Sequence, residues 1–195
     1  VRWGGGFDDG VKGRRAVGLL AEIVPLEGGY GPAEARQIRS AAALHAIGKG
    51  KIPPGILNKP GKLDPREFEI MKTHTTLGAE LLASMQGGLG EMARVIALYH
   101  HEWYDGGGYW GRSKGELPLY VAITGISDVF VALLSKRVYK EPWPPHNALA
   151  YIESMAGTQF APALAGIFIP LARGDSRVKA RCGIPGAWRS RWDEG

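Results

Sequence analysis

A single cysteine, Cys182, stands in a chain of 195 residues, which rules out an internal disulfide and fits a reducing, cytoplasmic setting. No apolar run is long enough to span a bilayer and no leader pattern opens the chain, so no membrane segment is expected. Internal repeats and a second domain are also missing from the pattern. Acidic residues are the minority charge, 19 against 24 basic, which leaves a net +5. From Ala172 onward six basic residues face three acidic ones, so this tail holds three of the five excess charges. A tail of this kind reads as a solvated segment, and nucleic acid is not an expected partner. What is left, 45% apolar and 22% charged residues, is the composition of one soluble globular domain with an ample core.

Histidine is scarce as well, only five residues, yet four of them fall where apolar helical patterns end. His100 and His101 close the run Val95-Ile96-Ala97-Leu98-Tyr99, and a glycine-rich stretch, Asp105-Gly106-Gly107-Gly108-Tyr109-Trp110, follows. Neighbours on a helix point about 100° apart, so two adjacent imidazoles suit two edges of a pocket or two ions better than one chelate. His45 and His74 end other apolar patterns, and Asp128 lies inside a further apolar run, where a buried carboxylate needs a partner. Four imidazoles and a carboxylate on successive helices point to a divalent transition metal (zinc, iron, manganese or nickel) rather than calcium. His146 reads as a helix cap or surface residue.

The periodicity predicts an all-α chain. Residues 1–10 are glycine-rich and irregular, 11–171 form the helical domain, and 172–195 form the basic, flexible tail. A helix over 16–23 is ended by Pro25 and Gly28-Gly29, and a second starts at Pro32 and runs to His45, stopped by Gly48. Asp64-Pro65-Arg66-Glu67 is an N-cap, a first-turn proline and a capping-box glutamate. That helix reaches His74, and Thr75-Thr76 suggests a kink before a segment over 77–85. Gly87 to Gly90 then separates a helix over 91–101, and further helices are predicted over 119–134, from His146 or Asn147 to Ala156, and over 163–171.

Several stretches together resemble one family. His45-Ala46-Ile47-Gly48-Lys49, Ile56-Leu57-Asn58-Lys59-Pro60-Gly61-Lys62-Leu63 and Glu69-Ile70-Met71-Lys72-Thr73-His74-Thr75 are similar to successive motifs of the HD-GYP domain. So are His100-His101-Glu102, Asp105-Gly106-Gly107-Gly108-Tyr109, Asp128-Val129-Phe130 and Arg137-Val138-Tyr139-Lys140. The order and spacing hold from about residue 8 to 170. The resemblance implies a single HD-type helical bundle with a metal site between helices, and hydrolysis of cyclic di-GMP. It makes His45, His74, His100, His101, Asp128 and Asp8 the metal ligands, and Lys49 the catalytic cation at the phosphate. Arg137, Lys140, Tyr109 and Gly107 become the contacts to the cyclic dinucleotide. An opening Val1 fits a piece of a longer protein with a sensor or receiver domain ahead of it, and the glycine-rich loop is a candidate surface for a protein partner.

The chain departs from the family pattern where metals are held. A bridging aspartate is replaced by Ala46, a first-helix histidine by Lys12, and a second aspartate in the 119–134 helix by Val131. Trp110 stands in place of a loop proline, and Ala161 replaces an aspartate of the last motif. One ion rather than two is therefore expected, with impaired turnover. A catalytically inactive cyclic dinucleotide sensor or interaction module is the alternative.

Overall fold

Eleven of the sixteen residues of the helix Leu119–Leu134 are buried, so this element has no solvent face to speak of and must lie at the centre. The computed structural model describes residues 11–136, 141–176 and 178. Among these, nine α-helices and one 3-10 turn account for the architecture, and no strand forms. They are α1 (Val11–Glu27), α2 (Pro32–Ala42), a 3-10 turn (Ile47–Lys51), α3 (Pro54–Leu57), α4 (Pro65–Lys72), α5 (His74–Leu81), α6 (Gly87–Tyr99), α7 (Leu119–Leu134), α8 (Pro145–Ser154) and α9 (Pro162–Gly174). None of the described helices is long and apolar enough to cross a membrane.

Helix α7 packs against α1, α6, α8 and α9. The main core joins Val17, Leu20 and Val24 of α1 to Phe130 and Leu133 of α7 and Phe168 of α9. Phe130 and Phe168 meet edge to face at 5.3 Å, the favoured arrangement for a buried ring pair. A second cluster, built on Ala41, Ala93, Ile96, Ala97 and Val121, seats α2 and α6 against α7. A third, Ile52, Leu57 and Met71, holds the loop between the 3-10 turn and α4.

The capping box at Asp64 and Glu67 forms as predicted: Asp64 Oδ1 accepts from the Glu67 amide at 2.9 Å, and Glu67 accepts from the Asp64 amide at 2.8 Å. Other boundaries shift. Helix α1 continues past Pro25 to Glu27, although a proline there cannot donate to the carbonyl of Ala21 four residues back. The break predicted at Thr75-Thr76 falls at Thr73, so His74 opens α5. There the hydroxyls of Thr73, Thr75 and Thr76 each donate to the carbonyl three residues back, competing with the helical ladder. Helix α6 starts at Gly87 rather than 91, because Gly90 lies against the Met85 carbonyl where no side chain fits. Helix α9 runs to Gly174, and Ala172 and Val178 are buried, so the core reaches beyond residue 171. Pro144, not His146, caps α8, and His146 is exposed.

Glycine sets one decisive approach. A Cβ on Gly48 would lie 2.0 Å from the His74 carbonyl oxygen and 2.5 Å from the Gly78 nitrogen. The 3-10 turn therefore rests directly on α5, which puts Lys49 beside His74. Gly48→Ala forces backbone apart and is expected to cost at least about 2 kcal/mol, the scale of core overpacking. Gly50→Ala, with nothing within 4 Å, serves as the neutral comparison. Thermal melting checks this: a drop of several degrees for the first variant and none for the second is expected, and equal melting temperatures would refute the close-approach account.

Candidate metal centre

Three of the histidines obey one local rule. The last carbonyls of a helix have no intrahelical donor, and a histidine just beyond the end can supply one. His45 Nδ1 donates to the Ala42 carbonyl at 2.7 Å at the end of α2. His74 Nδ1 donates to the Met71 carbonyl at 2.7 Å at the end of α4. His100 Nδ1 is shared between the Ile96 and Ala97 carbonyls, 3.1 and 3.0 Å away, at the end of α6. Each bond fixes the Nδ1–H tautomer and turns the Nε2 lone pair inward, the arrangement that prepares an imidazole to ligate.

The three Nε2 atoms converge with His101 and Asp128. His74 Nε2 and His100 Nε2 are 3.4 Å apart, and His45 Nε2 lies 3.3 Å from Asp128 Oδ1. Two ligands on a tetrahedral ion, with bonds of about 2.0–2.1 Å, stand about 3.4 Å apart, so these separations fit a shared cation. His45 Nε2 is fully buried and makes no hydrogen bond. An unpartnered buried nitrogen is costly, and a metal ion satisfies it. The ligand atoms form two overlapping trios, His74-His100-His101 and His45-His100-Asp128, each with its atoms within 4.8 Å of one another. The donor set thus fits a transition-metal ion.

Electrostatics agree. Burial, then the charges of neighbouring groups, holds His74, His100 and His101 well below the usual imidazole range, so all three are neutral and able to ligate. For Asp128, burial opposes ionisation, but the adjacent His45, when protonated in the metal-free chain, and then Lys49 outweigh it and keep the carboxyl well below its ordinary range. Lys49 is half-buried, and its charge reaches His74, His100, His101 and Asp128, which places it at the rim of the centre.

The glycine-rich loop is clamped over one side. Glu102 accepts from the amides of Trp110 at 2.8 Å and Arg112 at 2.7 Å, and the Tyr104 and Asp105 amides donate to the carbonyls of Gln159 and Thr158. This clamp lays the Tyr109 ring 4.6 Å from His101 and 5.7 Å from Phe68. Burial raises the Tyr109 phenol, which stays a hydrogen-bond donor at neutral pH. The amide of Gly107 already donates to Asp105 Oδ1 at 2.8 Å, so this residue shapes the loop and its N–H is not held open for an anion.

Sequence reasoning missed Lys72. Its ammonium lies 5.8 Å from the Tyr109 ring and 5.4 Å from that of Trp110, while pairing with Glu69 at 3.1 Å. Its position two residues before His74 was the available signal. Lys12 is exposed, and Arg14 is the α1 cation that lines the depression beside Ala46, together with Lys49. Val131 is buried in the main core and serves packing. Asp8, Arg137 and Lys140 lie outside the described residues.

Residues 8–164 match the HD domain family. The chain is 42% identical over 168 residues to the cyclic di-GMP phosphodiesterase response regulator RpfG of Xanthomonas campestris, covering 86% of this chain and 43% of that protein. It is 39% identical over 170 residues to the 3'3'-cGAMP-specific phosphodiesterase 2 of Vibrio cholerae, covering 87% and 32%. The chain thus spans less than half the length of either relative. Among solved structures, Bd1817, an HDG"Y"P protein from Bdellovibrio bacteriovorus, superposes with a TM-score of 0.66 at 16% identity over 86% of this chain and 54% of that one, a likeness of fold. The resemblance read from the motifs, and the all-helical fold it implied, are borne out.

The neutral histidines give the metal-free chain a defined pH dependence. Their folded pKa values lie below the unfolded value of about 6.5, so the unfolded state takes up protons first. Stability is complete above about pH 6.5 and declines as pH falls below it toward the lower folded values. Urea unfolding of chelator-treated protein should give a lower midpoint at pH 5.5 than at pH 7.5. Equal midpoints would contradict buried neutral histidines.

Proposed function

The chain belongs to the HD domain family, and from that premise we propose that it is a metal-dependent phosphodiesterase domain acting on cyclic di-GMP, with turnover limited at Ala46. The observation that carries this reading is the convergence of three tautomer-fixed imidazoles with His101 and Asp128. The relatives named as phosphodiesterases of cyclic di-GMP and of 3'3'-cGAMP support the substrate class, a 3'3'-linked cyclic dinucleotide.

His45, His74, His100, His101 and Asp128 would hold the ion. The chemistry such an ion supplies is Lewis acidity toward a phosphodiester and acidification of water toward neutral pH. Around it, Lys49 offsets phosphate charge, and the neutral Tyr109 phenol offers a donor at the loop side. The Trp110 indole, two-fifths exposed beside Lys72, is a face on which a nucleobase can stack. Arg137 and Lys140 complete the reading as phosphate or guanine contacts.

One ion is our reading rather than two. The two trios share His100, whose Nδ1 is committed to backbone and whose Nε2 offers one lone pair. His100 can therefore serve only one trio at a time. A second ion would keep His45 and Asp128 and needs a bridging carboxylate, where Ala46 places a buried methyl. The same methyl favours the second reading, a domain that binds the dinucleotide without cutting it.

Elemental analysis should find about one transition-metal ion per chain, lost in His100→Ala. Ala46→Asp should raise metal content and increase hydrolysis of cyclic di-GMP by at least about tenfold, the lower end of the effects seen when metal-site support is altered. Binding of cyclic di-GMP by the unaltered chain with hydrolysis only in Ala46→Asp supports the sensor reading. Absence of both metal and nucleotide binding would defeat both readings. Parallel assays with 3'3'-cGAMP decide between the two dinucleotides.

A further inference from the structure

A cavity of about 230 Å³ lies between the loop, α7 and the start of α9, and His100 and His101 of the metal centre form part of its wall. Its walls include Val121, Ala122, Ile126 and Val129 of α7, with Phe160 and Leu164 before and within α9. An engineered apolar cavity of about 150 Å³ already takes up benzene, so this space is large enough for a fused ring pair or a short branched chain.

The mouth is different in character from the walls. Lys114 lines it and stands over the Tyr104 ring at 5.8 Å, and among the described residues it forms no ion pair. Gln159 also lines it, and its side-chain oxygen already accepts from the Tyr151 hydroxyl at 2.9 Å, which leaves the amide NH2 as a donor. The two carboxylates nearby are engaged: Glu102 holds the Trp110 and Arg112 amides, and Glu116 holds Ser113 and the Arg112 guanidinium. An apolar interior below a cation and an amide donor selects a molecule with an apolar body and an acceptor head.

We propose that this cavity is a binding site for a small amphipathic carboxylate, its ring or short chain among Val121, Ala122 and Leu164 and its carboxylate at Lys114 and Gln159. Because Glu102 forms part of the wall and also clamps the loop, an occupant bears directly on the segment that places Tyr109 over His101. The site does not depend on the phosphodiesterase reading.

The probe is 2-naphthoate, titrated calorimetrically into the full chain, with and without chelator so that capture of the carboxylate by a metal is separated from pocket binding. One naphthoate per chain is expected under both conditions, with intermolecular NOEs from the ring protons to the methyls of Val121, Val129 and Leu164. Ala122→Phe fills the space and should weaken binding at least about tenfold. Lys114→Ala removes an exposed charge contact and should weaken it about two- to fivefold, and the neutral 2-naphthalenemethanol should bind the unaltered chain more weakly than naphthoate. Should Ala122→Phe fail to fold, the NOEs in the unaltered chain decide alone. Naphthoate binding lost on chelation, unchanged in a folded Ala122→Phe, undetectable at millimolar concentration, or giving NOEs elsewhere would overturn the proposal.

Discussion

The structure depends on a bond between a helix-terminal carbonyl and an imidazole N–H, made three times. His45, His74 and His100 each close the end of a different helix with Nδ1–H. The bond adds a side-chain donor to helix-end carbonyls that also accept backbone N–H groups, and it fixes which ring nitrogen is free. Folding and ligand preparation are thus one event: a helix that ends correctly also aims an Nε2.

Helix ends aim nitrogens only if the helices themselves meet, and here the small residues matter. Gly48 lets the 3-10 turn touch α5, and a Cβ on Gly125 would come within 2.9 Å of the His100 carbonyl oxygen, so α7 lies flat against the end of α6. Asp128, three residues further along α7, is thereby delivered to His45 at 3.3 Å. Gly108 does the same for the loop, since a Cβ there would strike Glu102 and Trp103 backbone. These contacts leave little room for adjustment, because interiors packed at crystal-like density transmit small changes.

Much of this was legible in the sequence. The apolar run over 119–134, the capping box at Asp64 and the scarce histidines placed at pattern ends pointed to α7, to α4 and to the side chains that converge as candidate ligands. What stayed hidden depended on tertiary geometry. The helix break moved from Thr75-Thr76 to Thr73 because three hydroxyl-to-carbonyl bonds act together. The bond from the Gly107 amide to Asp105 Oδ1 depends on how the loop turns and has no motif of its own. Lys72 was signalled only by its place two residues before His74, since its position over two rings follows from how the loop folds back. Likewise Arg14, not Lys12, faces the space by Ala46, a matter of helix phase that residues 1–10 obscured at the sequence level.

The charge balance around Ala46 shows why losing a carboxylate need not mean losing the ligand. Among the candidate ligands Asp128 carries the one negative charge, and burial keeps His74, His100 and His101 neutral. One divalent ion therefore leaves the centre net positive, with Lys49 adding to the field and Arg14 lining the adjacent depression. Restoring an aspartate at residue 46 would admit a second ion but also subtract a charge from the pocket. Attraction for an anionic phosphodiester is set by the total, whereas hydrolysis needs a cation able to activate water at one defined spot. Under the proposed reading an alanine at this position would affect the two unequally: the field met by an anionic phosphodiester would survive, and the support for a second ion would not.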